Sequence, residues 1–240
     1  DAITICSFLI GAGTMYVQGM TTGGTSTTMG GTPQTVSTSG TYYFRAQSGG
    51  CWGPEGSTTV TINPPPTAYT VTGGGGYCIG STGSDIGLSY SDAGVNYQLK
   101  RGGVNVGAPM AGTNAALDFG LQTVAGTYTV VATNPTTGCT NNMTGSLIVS
   151  INALPTAYTM NGGGSYCAGG AGVAVGLTGS AIGVNYQLYL AGVPVGAPVP
   201  GTASPITFGA QTATGTYTAI ATNTTTGCTN NMLESSVISI

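Results

Sequence analysis

The sequence predicts an all-β chain built as a tandem array of small antiparallel sandwiches. Short runs of β-branched and aromatic residues alternate with turns rich in glycine and threonine, and no stretch has the period of an amphipathic helix. The chain also repeats itself: residues 63–151 and 152–240 align without a gap at an offset of 89, with 52 of the 89 positions identical. Such self-similarity indicates an array of one module.

The repeat divides the chain into three predicted modules. The first, residues 1–62, is a divergent and shortened copy, because a looser version of the recurring Gly-Thr-Tyr strand at Gly40–Ala46 leads to Cys51. The second and third modules are residues 63–151 and 152–240.

Both junctions between modules are short and contain proline. Residues 63–66 read Asn-Pro-Pro-Pro, and residues 152–155 read Asn-Ala-Leu-Pro. Proline favours a stiff, extended connection over a floppy hinge. We therefore expect the modules to follow one another end to end as a rod.

The strands within a module follow from alternating apolar residues and the glycine turns between them. In the second module a turn is predicted at Gly73–Gly76 and a hairpin at Gly102–Gly103. The predicted strands there are 68–72, 86–88, 95–99, 104–106, 116–119, the strand beginning at Gly126, and 147–151. The first module has predicted strands at 3–5, 8–10, 42–46 and 58–62. About seven short strands per module are typical of two packed sheets.

A Gly-Thr-Tyr motif before the sixth strand is typical of the tyrosine corner of immunoglobulin-like sandwiches, where a tyrosine hydroxyl bonds back to nearby backbone. The candidates are Tyr42, Tyr128 and Tyr217. Antibody domains place a cysteine two residues after this tyrosine, whereas Cys139 follows Tyr128 by eleven. We predict tandem immunoglobulin-like antiparallel β-sandwiches, each with one intradomain disulfide near one end.

The six cysteines can be paired by repeat, and no CxxC motif or histidine supports a zinc site instead. The second and third pairs span the same separation, since 139−78 and 228−167 both give 61. The predicted pairs are Cys6 with Cys51, Cys78 with Cys139, and Cys167 with Cys228. Disulfides indicate an oxidising compartment, so we expect an extracellular or cell-surface location.

Several repeated motifs resemble a known class of surface protein. They are Pro-Thr-Ala-Tyr-Thr at 66–70 and 155–159, Gly-Gly-Gly-Ser-Tyr-Cys at 162–167, Gly-Val-Asn-Tyr-Gln-Leu-Tyr at 183–189, Gly-Thr-Tyr-Thr at 126–129 and 215–218, and Ala-Thr-Asn-x-Thr-Thr-Gly-Cys-Thr-Asn-Asn-Met at 132–143 and 221–232. With these motifs the chain resembles the immunoglobulin-like repeats of very large secreted proteins of Bacteroidota, similar to gliding-motility adhesins exported by type IX secretion. The resemblance is close over 63–240 and loose over 1–62, and it implies a secreted surface protein.

Composition argues against several function classes. Only 4% of residues are charged, there is no histidine, and the formal net charge is −3. Nucleic acid is therefore a poor partner, and no apolar run approaches the roughly 20 residues that span a bilayer. No serine or cysteine has a histidine to activate it, so we predict no catalytic residues, no metal and no cofactor. Asp85 and Asp92, seven residues apart, are read as solvated loop residues, with an acid/base pair as the alternative, because they align with Ala174 and Ala181. Asp118 likewise aligns with the uncharged Thr207, which weakens it as a catalytic candidate.

The predicted function is structural or adhesive, as a segment of an extracellular filament or stalk. Surfaces with so little charge suit packing against copies of the chain or adjacent modules. Candidate interaction residues are Trp52, which follows Cys51 and can also pack on its disulfide, and the pair Tyr189-Leu190, which replaces Lys100-Arg101. The alternative is a module that binds carbohydrate or another ligand, such as surface glycans. Its predicted tyrosine platforms are Tyr77 and Tyr166, which can equally belong to the core.

Overall fold

Strands account for all regular secondary structure in residues 13–28 and 35–240, the part of the chain that the computed structural model describes. No helix long and apolar enough to cross a membrane occurs in this part. The chain divides into two compact units, Asp1–Pro65 and Pro66–Ile240. The all-β prediction is confirmed.

The described strands of the first unit form one antiparallel sheet in the order β1-β2-β3. They are β1 (Thr14–Gly19), β2 (Gly40–Ser48) and β3 (Cys51–Val60). The strand predicted at 42–46 lies within β2, and the one predicted at 58–62 overlaps the end of β3 at residues 58–60 but extends two residues too far. The strands predicted at 3–5 and 8–10 lie outside the described residues.

The second unit contains two sandwiches, each made of two sheets. We call them the second sandwich (66–151) and the third sandwich (152–240). The strands of the second are β4 (Val71–Gly73), β5 (Gly75–Cys78), β6 (Ser84–Leu88), β7 (Asn96–Arg101), β8 (Val104–Asn105), β9 (Met110–Ala111), β10 (Leu117–Gln122), β11 (Gly126–Thr133), β12 (Thr140–Asn142) and β13 (Leu147–Asn152). Those of the third are β14 (Met160–Gly162), β15 (Gly164–Ser165), β16 (Val173–Leu177), β17 (Val184–Leu190), β18 (Val193–Pro200), β19 (Ile206–Gln211), β20 (Gly215–Asn223), β21 (Thr229–Asn231) and β22 (Ser236–Ser239).

Both sandwiches have the strand order of an immunoglobulin-like fold. In the second, a three-stranded sheet β10-β6-β4 packs on a sheet β5-β13-β11-β7-β8, with β9 and β12 paired at its margins. The third repeats this arrangement as β14-β16-β19 and β15-β22-β20-β17-β18, with β21 on β20. The predicted fold class is therefore confirmed for these sandwiches, although the strands β5, β9 and β12 had no clear sequence pattern.

Each sandwich has a hydrophobic core of its own. One core runs from Val71 to Val149 and has Tyr97 and Tyr128 fully buried at its centre. The other runs from Met160 to Ile238 around Tyr186. Because inward-facing residues alternate with outward-facing ones along each strand, neither core needs the other to bury its apolar face.

The glycine run after β4 carries the chain from one sheet to the other. Gly73, Gly74 and Gly75 all have positive φ values, at 95°, 74° and 111°. A Cβ on Gly73 would lie 2.2 Å from the carbonyl oxygen of Asp85, so only glycine fits there. The predicted Gly73–Gly76 turn is therefore corrected. The segment does not reverse the chain but makes β5 a parallel partner of β13.

Candidate functional site

The two cysteines of each sandwich lie at opposite ends of it. Cys78 ends β5 and is paired with Asn152, at the C-terminal end of β13. Cys139 lies beyond the other end of β11, where its carbonyl accepts a hydrogen bond from the Asn134 amide at 2.9 Å. The eight residues of β11 separate these ends by roughly 25 Å, at about 3.3 Å per residue.

The disulfide consequently joins two sandwiches. Cys78 of the second is bonded to Cys228 of the third, with 5.5 Å between their Cα atoms. The predicted pairs Cys78–Cys139 and Cys167–Cys228 are wrong, and with them the expectation of one bridge within each of these sandwiches. A disulfide needs Cα atoms within about 7 Å, which residues at opposite ends of one sandwich cannot provide. Equal spacing along the sequence did not mean proximity in space.

A tight polar loop presents the cysteine at the N-terminal end of the third sandwich. The side-chain carbonyl of Asn223 accepts hydrogen bonds from the amides of Thr225 and Thr226, at 2.9 and 3.0 Å. Gly227 has a φ of 70°, and the Asn223 amide donates to the Cys228 carbonyl at 2.9 Å. Asparagine and glycine are suited to such turns because one bonds its own backbone and the other tolerates positive φ. The equivalent loop around Cys139 makes the same bonds.

The linker beside the disulfide is fixed at both of its ends. The amide of Ile79 donates to the Asn152 carbonyl at 2.9 Å, which holds the start of the linker on the second sandwich. The side-chain amide of Asn230 donates to the Pro155 carbonyl at 2.8 Å, which holds its end on the third. Only Ala153 and Leu154 lie between these two anchors. Pro155 itself is buried, so the proline predicted to stiffen the junction is also part of the packing.

The repeat supplies an internal comparison for the burial of the bridge. Cys228 is 0% exposed, whereas its equivalent Cys139 is half-buried. Cys78 is half-buried, whereas its equivalent Cys167 is an exposed free thiol. The cysteines that meet at the junction are thus more buried than their counterparts. The disulfide and the backbone together give this junction two covalent connections.

The predicted sites in the first unit are only partly described. Cys51 is disulfide-bonded, and its predicted partner Cys6 lies outside the described residues. Trp52 is half-buried, with its ring 5.8 Å from that of Tyr16 and the Arg45 guanidinium 5.6 Å from its centroid. The Trp52 side chain is therefore partly covered by contacts within its own unit.

The three predicted corner tyrosines each bond backbone four residues earlier. The hydroxyl of Tyr128 donates to the Val124 carbonyl at 2.8 Å, and that of Tyr217 donates to the Ala213 carbonyl at 2.9 Å. In the first unit the Tyr42 hydroxyl donates to the carbonyl of Thr38 at 2.8 Å. All three rings are buried, and this is the geometry of a tyrosine corner.

The tyrosines proposed as ligand platforms are engaged within their own sandwiches. Tyr77 packs against the core of the second sandwich, and its hydroxyl donates to the Thr123 carbonyl. Tyr166 packs against the core of the third in the same way, with its hydroxyl on Thr212. Both hydroxyls are thus bonded within their own sandwich, which favours the structural interpretation that the sequence allowed for these tyrosines. Both anchor the segment that ends in the next residue, a cysteine.

The residue pair Tyr189-Leu190 is less exposed than its sequence contrast with Lys100-Arg101 suggested. Both residues are half-buried, and Leu190 packs against the core of the third sandwich. A Cβ on Gly215 would lie 2.8 Å from Leu190 Cδ1, which shows how closely this side chain covers the start of β20. Of the two residues expected to form an exposed patch, Leu190 is therefore part of the packing, and the partly exposed Tyr189 remains.

Two of the three aspartates come together on the outer face of the second sandwich. Asp85 on β6 and Asp118 on β10 lie close enough for their carboxyl groups to share a hydrogen bond. Although the residue as a whole is exposed, desolvation of its carboxyl group, followed by this hydrogen bond and the Asp118 charge, raises the pKa of Asp85. Both residues are solvent-exposed. The alternative of an Asp85–Asp92 pair is replaced by this one, because register between strands cannot be read from one strand alone.

Asp92 has a different role. Its carboxylate accepts a hydrogen bond from the Tyr69 hydroxyl at 2.6 Å, and its backbone amide donates to the Tyr97 hydroxyl at 2.8 Å. The hydrogen bond with Asp92 is the main cause of a raised pKa of Tyr69. In the third sandwich Ala181 keeps the backbone bond, to Tyr186, but has no carboxylate.

The third sandwich carries a cleft of about 420 Å³ where the second carries its aspartate pair. It lies on the exposed face of the sheet β14-β16-β19, with Asn161, Ala174, Pro205 and Thr207 in its lining. Gly176 forms part of this surface, and a Cβ there would lie 2.4 Å from the Ile206 carbonyl oxygen. Among the described residues no group of three or more His, Cys, Asp or Glu side chains could hold a metal ion.

No protein-family model matches the sequence, and no curated protein matches it. Solved structures are similar to it at low identity. The human OSCAR ligand-binding domain is 15% identical with a TM-score of 0.33, over 73% of this chain and 100% of that one. The N-terminal eight Ig domains of Down Syndrome Cell Adhesion Molecule are 17% identical with a TM-score of 0.38, over 84% of this chain and 31% of that one. The Bacteroides ovatus mixed-linkage glucan utilization locus protein SGBP-B, in complex with a mixed-linkage heptasaccharide, is 15% identical with a TM-score of 0.23, over 94% and 59%.

Proposed function

We propose that the chain is a structural or adhesive segment of an extracellular filament or cell-surface stalk made of tandem immunoglobulin-like modules. The observation that carries this proposal is the Cys78–Cys228 disulfide, because it staples two sandwiches end to end beside an anchored linker. A stalk needs modules that keep their direction relative to their neighbours. Two covalent connections at one junction supply that property.

The setting follows from the same chemistry. Disulfides persist in oxidising environments, so an extracellular or cell-surface location is favoured. The resemblance of the repeat motifs to secreted Bacteroidota surface proteins supports a bacterial surface and export by type IX secretion. Modules of this kind, in the same chain or in copies of it, are the proposed partners.

Side-by-side packing is favoured by the composition of the surface. Only nine residues of 240 are charged, since Lys and Arg number 3 and Asp and Glu number 6. Equivalent apolar side chains are also exposed on both sandwiches: Val104 at 71% and Val193 at 64%, Ile148 at 66% and Val237 at 56%. Such a neutral, partly apolar surface offers little electrostatic repulsion between copies.

The test compares the chain with its Cys78→Ser/Cys228→Ser variant. Negative-stain electron microscopy measures the angle between the second and third sandwiches. Images recorded at increasing protein concentration show whether filaments form. We expect a narrow angular distribution that broadens in the variant. Equal distributions in the two proteins would remove the basis of the stalk proposal.

A second candidate function, binding of carbohydrate or another small neutral ligand, is favoured by the cleft on the third sandwich. Its volume falls within the range of about 300–1,000 Å³ that is usual for small-molecule sites. The test is a glycan array with the chain and with its Ala174→Asp/Thr207→Asp variant, which copies the carboxylates of the second sandwich. Specific binding that is lost in the variant would support this candidate, and no binding by the unaltered chain would refute it.

A further inference from the structure

The alignment of the two repeats shows which cysteine positions the disulfide joins. Cys78 and Cys167 are equivalent, since 167−78 gives 89, and so are Cys139 and Cys228, since 228−139 also gives 89. The bridge in the structure connects the cysteine at the C-terminal end of one sandwich with the loop cysteine at the N-terminal end of the next. Applied once more, this pattern assigns Cys167 a loop cysteine of a sandwich placed after the third.

The surroundings of Cys167 reproduce those that hold Cys78 for bonding. The preceding tyrosine is anchored in both, with the hydroxyl of Tyr77 on Thr123 and that of Tyr166 on Thr212. The cysteine carbonyl accepts a turn hydrogen bond in both, from Ser81 at 3.0 Å and from Gly170 at 2.9 Å.

The strand that leads to each cysteine is also paired in the same way, with Cys78 as the last residue of β5 and Cys167 two residues beyond the end of β15. It pairs in parallel with the last strand of its sandwich, β5 with β13 and β15 with β22. Both cysteines are therefore presented at the same end of their sandwich by the same contacts.

We propose that Cys167 forms the next disulfide of the array, with the loop cysteine of a following sandwich of this repeat. The evidence is twofold: Cys167 is an exposed free thiol, and its equivalent in the same chain is already bonded to such a loop. The partner is recognised by its chemistry, a cysteine in an Asn-x-Thr-Thr-Gly-Cys loop held by the asparagine side chain. This inference rests on the proposed stalk function, which it extends to a continuous series of stapled junctions.

The bond forms by oxidation of two thiols. The Cys167 thiolate attacks one sulfur of an external disulfide, here oxidised glutathione, and displaces one glutathione thiolate to give a mixed disulfide. The loop thiolate of the following sandwich then attacks the Cys167 sulfur and releases the second glutathione. Two protein thiols lose two electrons and two protons, and one glutathione disulfide becomes two thiols.

The test uses the full chain and the same chain extended after Ile240 by a further copy of residues 152–240. This fusion reproduces the natural Ile151–Asn152 junction, because the repeat is gapless. Both proteins are oxidised with glutathione, alkylated with iodoacetamide and digested with pepsin. Pepsin is preferred because Arg45, Lys100 and Arg101 are the only sites for trypsin. Mass spectrometry then identifies the linked peptides.

In the extended chain we expect Cys167 to lose its reactivity towards iodoacetamide and to be linked to the added copy's cysteine equivalent to Cys228. Cys167→Ser should abolish this link and leave Cys78–Cys228 intact, and Cys78→Ser should do the reverse. A disulfide-linked dimer of the unextended chain through Cys167 and a loop cysteine of the second copy would support the proposal, with a separate chain as the partner.

Two results would overturn the inference. One is a Cys167 that remains alkylated in both proteins while Cys78–Cys228 forms, which would leave the stalk proposal standing. The other is a Cys167 linked to the second cysteine of its own sandwich. Absence of Cys78–Cys228 from every protein would instead defeat the stalk proposal as well.

Discussion

Cys78 and Cys167 hold equivalent positions at the C-terminal ends of two closely similar sandwiches, yet their states differ. Cys78 is half-buried and bonded to the third sandwich, whereas Cys167 is exposed and free. The tyrosine anchors and turn bonds around them are the same. Local contacts therefore position both cysteines alike, and Cys78 has the loop cysteine of the third sandwich as its partner. The disulfide belongs to the junction and not to the module.

The largest expected effect on stability comes from replacing Cys78, the bonded member of this pair of equivalent cysteines. Cys78→Ser removes a bridge that closes a loop with a sequence separation of 150, and the chain-entropy relation gives about 5 kcal/mol for such a loop as an upper value. Cys167→Ser at the equivalent position should change stability by less than about 0.5 kcal/mol. Urea unfolding of both variants and the unaltered chain measures the two effects. Equal losses would contradict the assignment of the bridge to Cys78.

Much of the fold could be predicted from the sequence, and the pairing of the cysteines could not. The strands led by Gly126 and Gly215 and the buried Tyr128 and Tyr217 follow from apolar alternation and a local motif. The position of Cys78 depends on a parallel pairing between β5 and β13, and β5 is a Gly-Gly-Tyr-Cys segment with no strand pattern. Short, glycine-rich strands specify register weakly. The partner of Cys78 is therefore set by a non-local strand pairing that the spacing of the cysteines does not reveal.

The tyrosine corners are equivalent in the two sandwiches, so removing either hydroxyl should destabilise the protein by a similar amount. Tyr128→Phe and Tyr217→Phe each remove a buried hydroxyl that donates to backbone, and we expect each to cost about 1 to 2 kcal/mol of unfolding free energy. Tyr90→Phe is the control, because this side chain is 40% exposed and should cost less than about 0.5 kcal/mol. Thermal unfolding monitored by circular dichroism measures all three. A corner variant no less stable than the control would show that the hydrogen bond contributes little.

Asp92 gives a smaller effect that distinguishes the sandwiches, because its equivalent is Ala181. The hydrogen bond with Asp92 raises the pKa of Tyr69, so the folded protein holds this phenol proton more tightly than the unfolded chain does. The resulting stability is complete below the ordinary tyrosine pKa of about 10 and is lost as pH rises through the raised pKa. Asp92→Ala should move the Tyr69 titration to lower pH. Carbon-13 tyrosine NMR follows it, with Tyr69→Phe to assign the signal, and an unmoved titration would contradict the role of Asp92.

The smallest expected effect concerns Asp85 and Asp118, which the third sandwich replaces with Ala174 and Thr207. Desolvation of its carboxyl group and the hydrogen bond with Asp118 raise the pKa of Asp85, so the folded protein holds this proton more tightly than the unfolded chain does. The resulting stabilisation is complete below the ordinary aspartate pKa and is lost as pH rises through the raised pKa. Asp118→Thr should lower the pKa of Asp85 without reducing stability at neutral pH. Carboxyl carbon-13 NMR checks the pKa, and Asp92→Asn is the control that should leave Asp85 unchanged. If the pKa of Asp85 is the same in the Asp118→Thr variant as in the unaltered chain, desolvation alone raises it and the role of Asp118 is contradicted.

The most direct test of the junction is the disulfide map of the unreduced, alkylated chain. Pepsin digestion at acidic pH suppresses thiol–disulfide exchange, because the attacking species is the thiolate. Besides the linked peptides that contain the disulfide-bonded Cys51, we predict a linked pair that contains Cys78 and Cys228, with Cys167 recovered as its alkylated form. Peptides that link Cys78 to Cys139 and Cys167 to Cys228 would contradict the end-to-end staple and return the disulfides to the interior of each module.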